Sequence, residues 1–405
     1  MKAVRLSPVD HIFTGPGAYP IQFYLQYSHH LNPDDLYKGL KKITPLFWPV
    51  AGQLRKLGKQ TYEVVWDGST PNFEVIDCRN KSFPSQTDFE ALLGLRSSID
   101  SVVGSPLSHF QLYQFAGGSA LVANISHCIA DGYSFFHFLS QWAARMRLGR
   151  LKFLKNRMLA RPIHNRSSLV PRTLGAGELQ YTDQEVFQKV GISYSPETRG
   201  QDGKSRAWRF HTISEQEIRA YRNREVALLQ GEKRLSSDDI ISALIVKGFL
   251  SEGWFSNGLA RISTAFDYRR ILPCVGQRYF GNAVRAASFE ISTEQLDEMS
   301  IIEIARQVRL AKASIGIENS LESLCYLERA RLEKEDGLSF VQGMRVVDEA
   351  RGLLITNISR ISSELFDFGF GKPTRLIPLT PAERSAVISS QNGGYSVRIS
   401  PPDKP

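Results

Sequence analysis

His127 and Asp131, in the run Ile125-Ser126-His127-Cys128-Ile129-Ala130-Asp131-Gly132, are the side chains best placed by type and spacing to do chemistry. A histidine at the end of a buried strand, just before a loop, can point into a cleft. Its near-neutral pKa lets it take a proton from a hydroxyl or amine and later return it. Asp131, four residues on, can orient the imidazole, cap a helix or pair with a distant cation. Gly132 is expected to adopt a backbone conformation that a side chain would block. Three fixed residues are a weak signal, because a histidine at a strand end more often has a structural role. A second motif stands far downstream: Asp367-Phe368-Gly369-Phe370-Gly371-Lys372-Pro373. Two glycines and two aromatics suit a tight packed turn, so Asp367 reads as scaffold rather than as a group at the reacting carbon.

The elements around the first motif follow from periodicity. Phe110–Phe115 and Ala120–Ile125 flank Gly117-Gly118 and predict a hairpin that runs into His127. Phe135, Phe138, Leu139, Trp142 and Met146 stripe a helix over about 133–146. Asn32-Pro33 opens an earlier helix. Strands are expected at 62–66 and 73–76. Residues from about 148 to 204 carry prolines, glycines and polar spacers and read as a long connector. Beyond it, Ser214–Glu217 and Ser236–Asp239 each open a helix. Ile304, Val308, Ala311 and Ile315 stripe another, and strands close the chain at 353–358, 375–379 and 395–399. The expected organisation is an N-terminal domain over 1–165 carrying the histidine motif, a crossover linker over 166–205, and a C-terminal domain over 206–405 carrying the Asp367 motif.

Length and composition narrow the class. The 405 residues exceed one ordinary core, and 42% hydrophobic with 22% charged residues is normal for a globular chain. Mean hydropathy is −0.23, and no apolar run approaches a membrane span. No secretory leader is expected from Met1–Asp10. The four cysteines are scattered, without metal spacing, which predicts free thiols and no metal site. A net charge of +9 suits an anionic partner. The basic run Arg145–Arg172 is polar and rich in loop formers and reads as a solvated connector, so nucleic acid is not expected. No Gly-x-x-x-x-Gly-Lys-Ser/Thr run supports a P-loop.

The two motifs together resemble those of the BAHD acyltransferases, CoA-dependent enzymes related to condensation domains. The resemblance extends through Leu6–Asp10, Trp48–Leu54, Asn165–Arg172, Phe266–Arg270 with Tyr279–Val284, and Thr356–Arg360. Phe370 stands where the family usually has tryptophan, and Ile358 where many members have a tryptophan facing the acceptor pocket. The resemblance implies an α/β fold: two similar-sized mixed-sheet domains of the chloramphenicol acetyltransferase-like type, with a central channel.

It also implies an acyl-CoA-dependent O- or N-acyltransferase with His127 as general base. Asp131 is then turned away and paired with Arg269, while Asp367, Gly369 and Gly371 support the site. Thr356 and Ile358 are candidates for substrate or oxyanion contact, although Thr356 equally fits a plain strand role. Arg222, Arg224, Ser236 and Ser237 are candidates for the phosphates of CoA, with a solvated face or helix cap as the alternative for each. The implied co-substrate is acyl-CoA and the partner a small-molecule alcohol or amine. No permanent cofactor, nucleic acid or membrane is implied, and the family usually works as a cytosolic monomer. Two alternatives stay open: a carrier-protein thioester as donor, and a non-catalytic binding protein that kept the fold.

Overall fold

Strand Gly118–Ile125 is buried on both faces, and the fold explains why. Leu121, Ala123 and Ile125 point into the largest core, while Ala120 and Val122 enter a second cluster with Tyr24 and Trp208. A strand covered on both sides is necessarily central. It lies between Ile21–Tyr27 and Ser108–Phe115 in a five-stranded sheet completed by Asn72–Cys78 and Arg375–Pro378. The structure, a computed structural model, describes residues 1–85, 87–97, 99–147, 161–170, 182–195, 208–226, 234–255, 258–379, 382–391 and 393–402.

The second half is built on a six-stranded sheet ordered Val284–Ser292, Leu259–Asp267, Gly352–Asn357, Ser385–Gln391, Gly394–Ser400, Arg209–Ser214. Helices Ser237–Ser251 and Ile301–Ala313 pack on one face, burying Ile241, Ile245, Ile304 and Ala305 against Ile262, Leu353 and Ile355. The mixed α/β class matches expectation. A smaller sheet joins Lys2–Arg5, Gln53–Lys56 and Tyr62–Trp66.

Three features differ from the sequence reading. Arg375–Pro378 lies within the 206–405 segment but pairs with Ile21–Tyr27, so the C-terminal segment lends a strand to the N-terminal sheet. Short alternating strands carry no record of which sheet they will join. The linker is also not a plain connector. Thr182 and Glu185 form a reciprocal cap on helix Asp183–Val190, and Ser193–Tyr194 pairs with Met344–Arg345. Its short, moderately apolar face was masked by polar neighbours. Residues 148–160, 171–181 and 196–207 of the expected connector, including much of the basic run, lie outside the described residues. Finally, Ile315 falls beyond the end of helix Ile301–Ala313.

The helix after the motif spans Gly132–Arg147. It buries Phe135, Phe138, Leu139 and Trp142, and burying each contributes roughly 1.5–3 kcal/mol. This packing holds the Ile125-to-Gly132 turn against the sheet end. Across the halves, the Arg398 guanidinium sits 4.5 Å over Trp208 and donates to Pro378 O at 2.8 Å.

Candidate active site

His127 is half-buried where strand Gly118–Ile125 ends. Phe13 stacks on the imidazole at 3.8 Å with an 11° interplanar angle, and Tyr19 meets it edge-on at 5.9 Å. Its Nδ1 is engaged by Asn282, not by Asp131. His127 Nδ1 lies 3.0 Å from Asn282 Oδ1, while Asn282 Nδ2 donates to His127 O at 2.6 Å and to Asp10 Oδ1 at 2.7 Å.

This arrangement determines the tautomer. Both partners of Nδ2 are pure acceptors, so the amide cannot be flipped, and Oδ1 must face the ring. An amide oxygen only accepts, so His127 Nδ1 carries a proton, and in the neutral ring the lone pair is on Nε2. Asp10 is held in turn by Ser7 and by a fully buried ion pair with Arg166. Arg166 also donates to Ile129 O, within the motif turn, at 3.2 Å.

Asp131 is fully buried and turned toward the second half. Its carboxylate accepts from Arg269 Nη1 at 2.7 Å and Nη2 at 3.2 Å. It also accepts from Ser134 N at 2.8 Å, which makes it the N-cap of the motif helix, and from Ala283 N at 2.9 Å. Burial alone would raise its pKa, but Arg269 and these donors outweigh it and hold the carboxyl below its usual range. Of the three roles the sequence left open, capping and the cation pair are the ones formed. Arg269 further donates to Tyr279 O and Gly281 O, stitching the motif turn to the loop that carries Asn282. Gly132 needs no special backbone: its φ is not positive, and a Cβ there would meet nothing. It begins the helix as an ordinary first residue.

The Asp367 segment is a closed turn. Asp367 Oδ1 accepts from Gly369 N and Gly371 N, both at 2.8 Å, and Gly369 and Gly371 have φ of 110° and 107°. Such φ values favour glycine. Phe368 packs on Trp142 of the motif helix, whereas Phe370 is exposed.

Thr356 is paired in strand Gly352–Asn357, opposite Val387. Ile358 is buried in the same core as Phe13. Ser236 caps helix Ser237–Ser251 reciprocally with Asp239, so the helix's own side chain occupies its N-terminus. Arg222 donates to Ser237 Oγ at 2.5 Å, and Arg224 lies 5.9 Å over Tyr221. Lys312 and Arg309 pair with Asp239, Lys312 also pairs with Asp238, and Asn357 donates to Asp238. Arg222, Ser236 and Ser237 are thus gathered beside the end of strand Gly352–Asn357. Among the described residues, no three His, Cys, Asp or Glu side chains gather as a metal set, and no helix is long and apolar enough to cross a membrane.

Sequence reading missed Asn282, Asp10, Arg166 and Phe13. Asn282, Asp10 and Arg166 were legible only as members of matched runs, because their convergence on His127 joins segments far apart in the chain.

The family model described as Transferase family matches residues 2–400. The chain belongs to this family, the BAHD acyltransferases. It is an acyl-CoA-dependent O- or N-acyltransferase. It is 25% identical to the spermidine coumaroyl-CoA acyltransferase of Arabidopsis thaliana over 90% of this chain and 79% of that one. The F. graminearum TRI101 structure with Coenzyme A and deoxynivalenol superposes with a TM-score of 0.78 at 17% identity, covering 100% of this chain and 96% of that one. Vinorine synthase gives a TM-score of 0.66 at 18% identity, over 99% of this chain and 90% of that one. These two likenesses establish the shared two-domain fold.

Proposed function

We propose that this acyltransferase moves an acyl group from free acyl-CoA to a hydroxyl or amine of a small molecule, with His127 as general base. The observation that carries the reading is the Asn282 contact, which fixes the proton on Nδ1 and leaves Nε2 as the basic atom. Nε2 takes the proton of the acceptor O–H or N–H as that atom attacks the thioester carbonyl. The tetrahedral intermediate then collapses, the carbon–sulfur bond breaks, and the Nε2 proton passes to the departing CoA thiolate. No covalent enzyme intermediate is required, because a thioester is already activated.

Asp131 acts as structure in this scheme: it caps the helix behind His127 and clamps the Asn282 loop through Arg269. Asp367, Gly369 and Gly371 hold a turn against the same helix. The phosphates of CoA fall to Arg222, Ser236 and Ser237, with Arg224 nearby and Arg309 and Lys312 added by the fold. Thr356 and Ile358 border the reacting centre from the second sheet. A free-CoA donor is supported by the spermidine enzyme's coumaroyl-CoA and by the Coenzyme A in TRI101.

The test is thiol release from a panel of acyl-CoA thioesters against small alcohols and amines, comparing wild type with His127→Ala. Release that depends on acceptor and on His127 is expected. Equal turnover by His127→Ala would exclude the general base, and turnover only with carrier-protein thioesters would exclude the free-CoA donor.

A further inference from the structure

Strand Val284–Ser292 is an outer strand of the six-stranded sheet. Leu259–Asp267 pairs with it on one side, and among the described residues no strand pairs with it on the other. The pairing is regular, from Asp267 opposite Val284 to Leu259 opposite Ser292, with no bulge. Two bonds just beyond the ladder fix its phase: Tyr268 N donates to Ala283 O at 2.7 Å, and Thr293 N donates to Gly258 O at 3.0 Å. Bonded and non-bonded pairs alternate in an antiparallel ladder. The odd-numbered residues of the strand therefore bond inward to Leu259–Asp267, and Ala286, Ser288 and Glu290 turn their N–H and C=O groups outward.

A cleft of about 530 Å³ runs along this outward edge, and every residue from Arg285 to Glu290 lines it. Among the described residues, no group hydrogen-bonds the outward N–H or C=O of Ser288 or Glu290. One end of the cleft is closed. Gly191, the left-handed cap of helix Asp183–Val190, packs so near Ala286 O that a Cβ there would lie 2.8 Å from it. From Ala286 to Glu290 the edge matches about five residues of extended chain, roughly 16 Å.

The cleft has a wall on each face of the sheet. Ala286, Ser288 and Glu290 share a face with Arg261 and Ser263, and on that side the wall is aromatic. Phe187 stacks there on Tyr194 at 5.3 Å and 12°, and Tyr194 is 38% exposed. Ile262 and Phe289 mark the other face, where Ala311, Ser314 and Ile315 form a wall of small and aliphatic side chains. Arg285 belongs to this second face, where it meets Asn319 and the charge of Glu322. On the first face charge is balanced: Glu290 lies 3.7 Å from Arg261 and 3.5 Å from Arg351, and Asp348 lies 3.1 Å from Arg351. A balanced floor has no particular pull on a polyanion such as CoA or a nucleic acid. What the cleft offers is alternating backbone donors and acceptors between two largely apolar walls, which is what an added strand requires. A long regular edge pairs with any extended chain unless proline, a bulge or a cover blunts it. This edge is recessed between its walls, which suits a single extended chain rather than the broad edge of a second sheet.

We propose that this edge docks an extended, uncharged peptide segment of another protein, which adds as a further strand beside Val284–Ser292. Ser288 and Glu290 each contribute one N–H and one C=O to it. Side chains of the added strand alternate between the walls, so large apolar residues meet Phe187 and Tyr194 and small ones meet Ala311 and Ser314. The docking is independent of the chemistry at His127.

The test is a fluorescence-anisotropy titration of the full chain with a fluorescein-labelled, C-terminally amidated peptide, Val-Thr-Tyr-Thr-Val. Saturation below about 1 mM is expected, the range of a few net backbone hydrogen bonds with apolar contact. N-methylation of alternate peptide amides reads the backbone contacts directly. Methylating the set that faces the strand should weaken binding at least about tenfold, and methylating the other set should change it less than about threefold. Ser288→Pro removes an outward N–H without breaking a ladder bond, so it should abolish binding while thiol release from acyl-CoA stays near wild type. Tyr194→Ala should weaken binding about tenfold. Saturating CoA should leave the peptide bound. The two methylated peptides decide the matter even if Ser288→Pro fails to fold, because they leave the protein unaltered. No saturation by about 1 mM, equal effects of the two methylated sets, or full binding to folded Ser288→Pro overturns the site. Displacement by CoA assigns the edge to the amide-bearing arm of the donor, and dimerisation lost in Ser288→Pro assigns it to a second copy of this chain; either result overturns the peptide.

Discussion

Replacing Asp131 by asparagine separates support from chemistry. The carboxylate meets four donors: Oδ1 takes Arg269 Nη2 and Ser134 N, and Oδ2 takes Arg269 Nη1 and Ala283 N. Asparagine keeps one oxygen and turns an NH2 toward the two donors of the other. Arg269, whose side chain is 2% exposed, then retains only Asp267 at 3.0 Å as an acidic partner among the contacts described here. Breaking one side of a buried pair costs about 3–5 kcal/mol. The expected result is an unfolding free energy, from urea titration, lowered by that amount, with kcat per folded molecule within about tenfold of wild type, because the imidazole is held by Asn282. The acid limb gives a second readout. A carboxylate held below its usual pKa contributes stability that is complete above its unfolded value of about 3.9 and is lost as pH falls through the lower folded value. Wild type should therefore lose stability below about pH 4 more steeply than Asp131→Asn. Unchanged stability together with a kcat loss near 10⁴-fold, the signature of a triad aspartate, would refute the supporting role.

His127→Ala should lower kcat about 10²–10⁴-fold with little change in thermal midpoint, since the ring is half-buried and the buried ion pairs Asp10–Arg166 and Asp131–Arg269 stay intact without it. Asn282→Ala should lower kcat by about 10²-fold by releasing the ring's orientation, and it should leave the KM for acyl-CoA within a few fold; an unaltered kcat would remove Asn282 from the site. Asp367→Ala deprives two backbone N–H groups of their acceptor and should cost about 1–2 kcal/mol in urea unfolding while sparing kcat. Gly371→Ala, forced to φ near 107°, should cost about 1–3 kcal/mol in the same assay.

Local patterns carried much of this protein in the sequence. The largely apolar run Gly118–Ile125, the stripe from Phe135 to Trp142 and the Ser236–Asp239 cap each depend on neighbours within a few residues, and so does the turn that Asp367 closes on its own glycines. The order of motifs was enough to point to the family and to single out His127. Other features depended on chain segments meeting in space. Arg375–Pro378 could have joined either sheet, because its side-chain pattern is the same in both; pairing with Ile21–Tyr27 placed it. The state of His127 was decided by Asn282, Asp10 and Arg166, three residues from separate segments, one of them the helix Pro8–Ile12, that converge behind the ring. Asp131 offered three chemically reasonable partners along the sequence, and only the packing of the second half, which brings Arg269 and Ala283 N to its two oxygens, selected among them. A carboxylate's intrinsic chemistry leaves its partner open, and the donors within 3.2 Å of it in the fold make the choice.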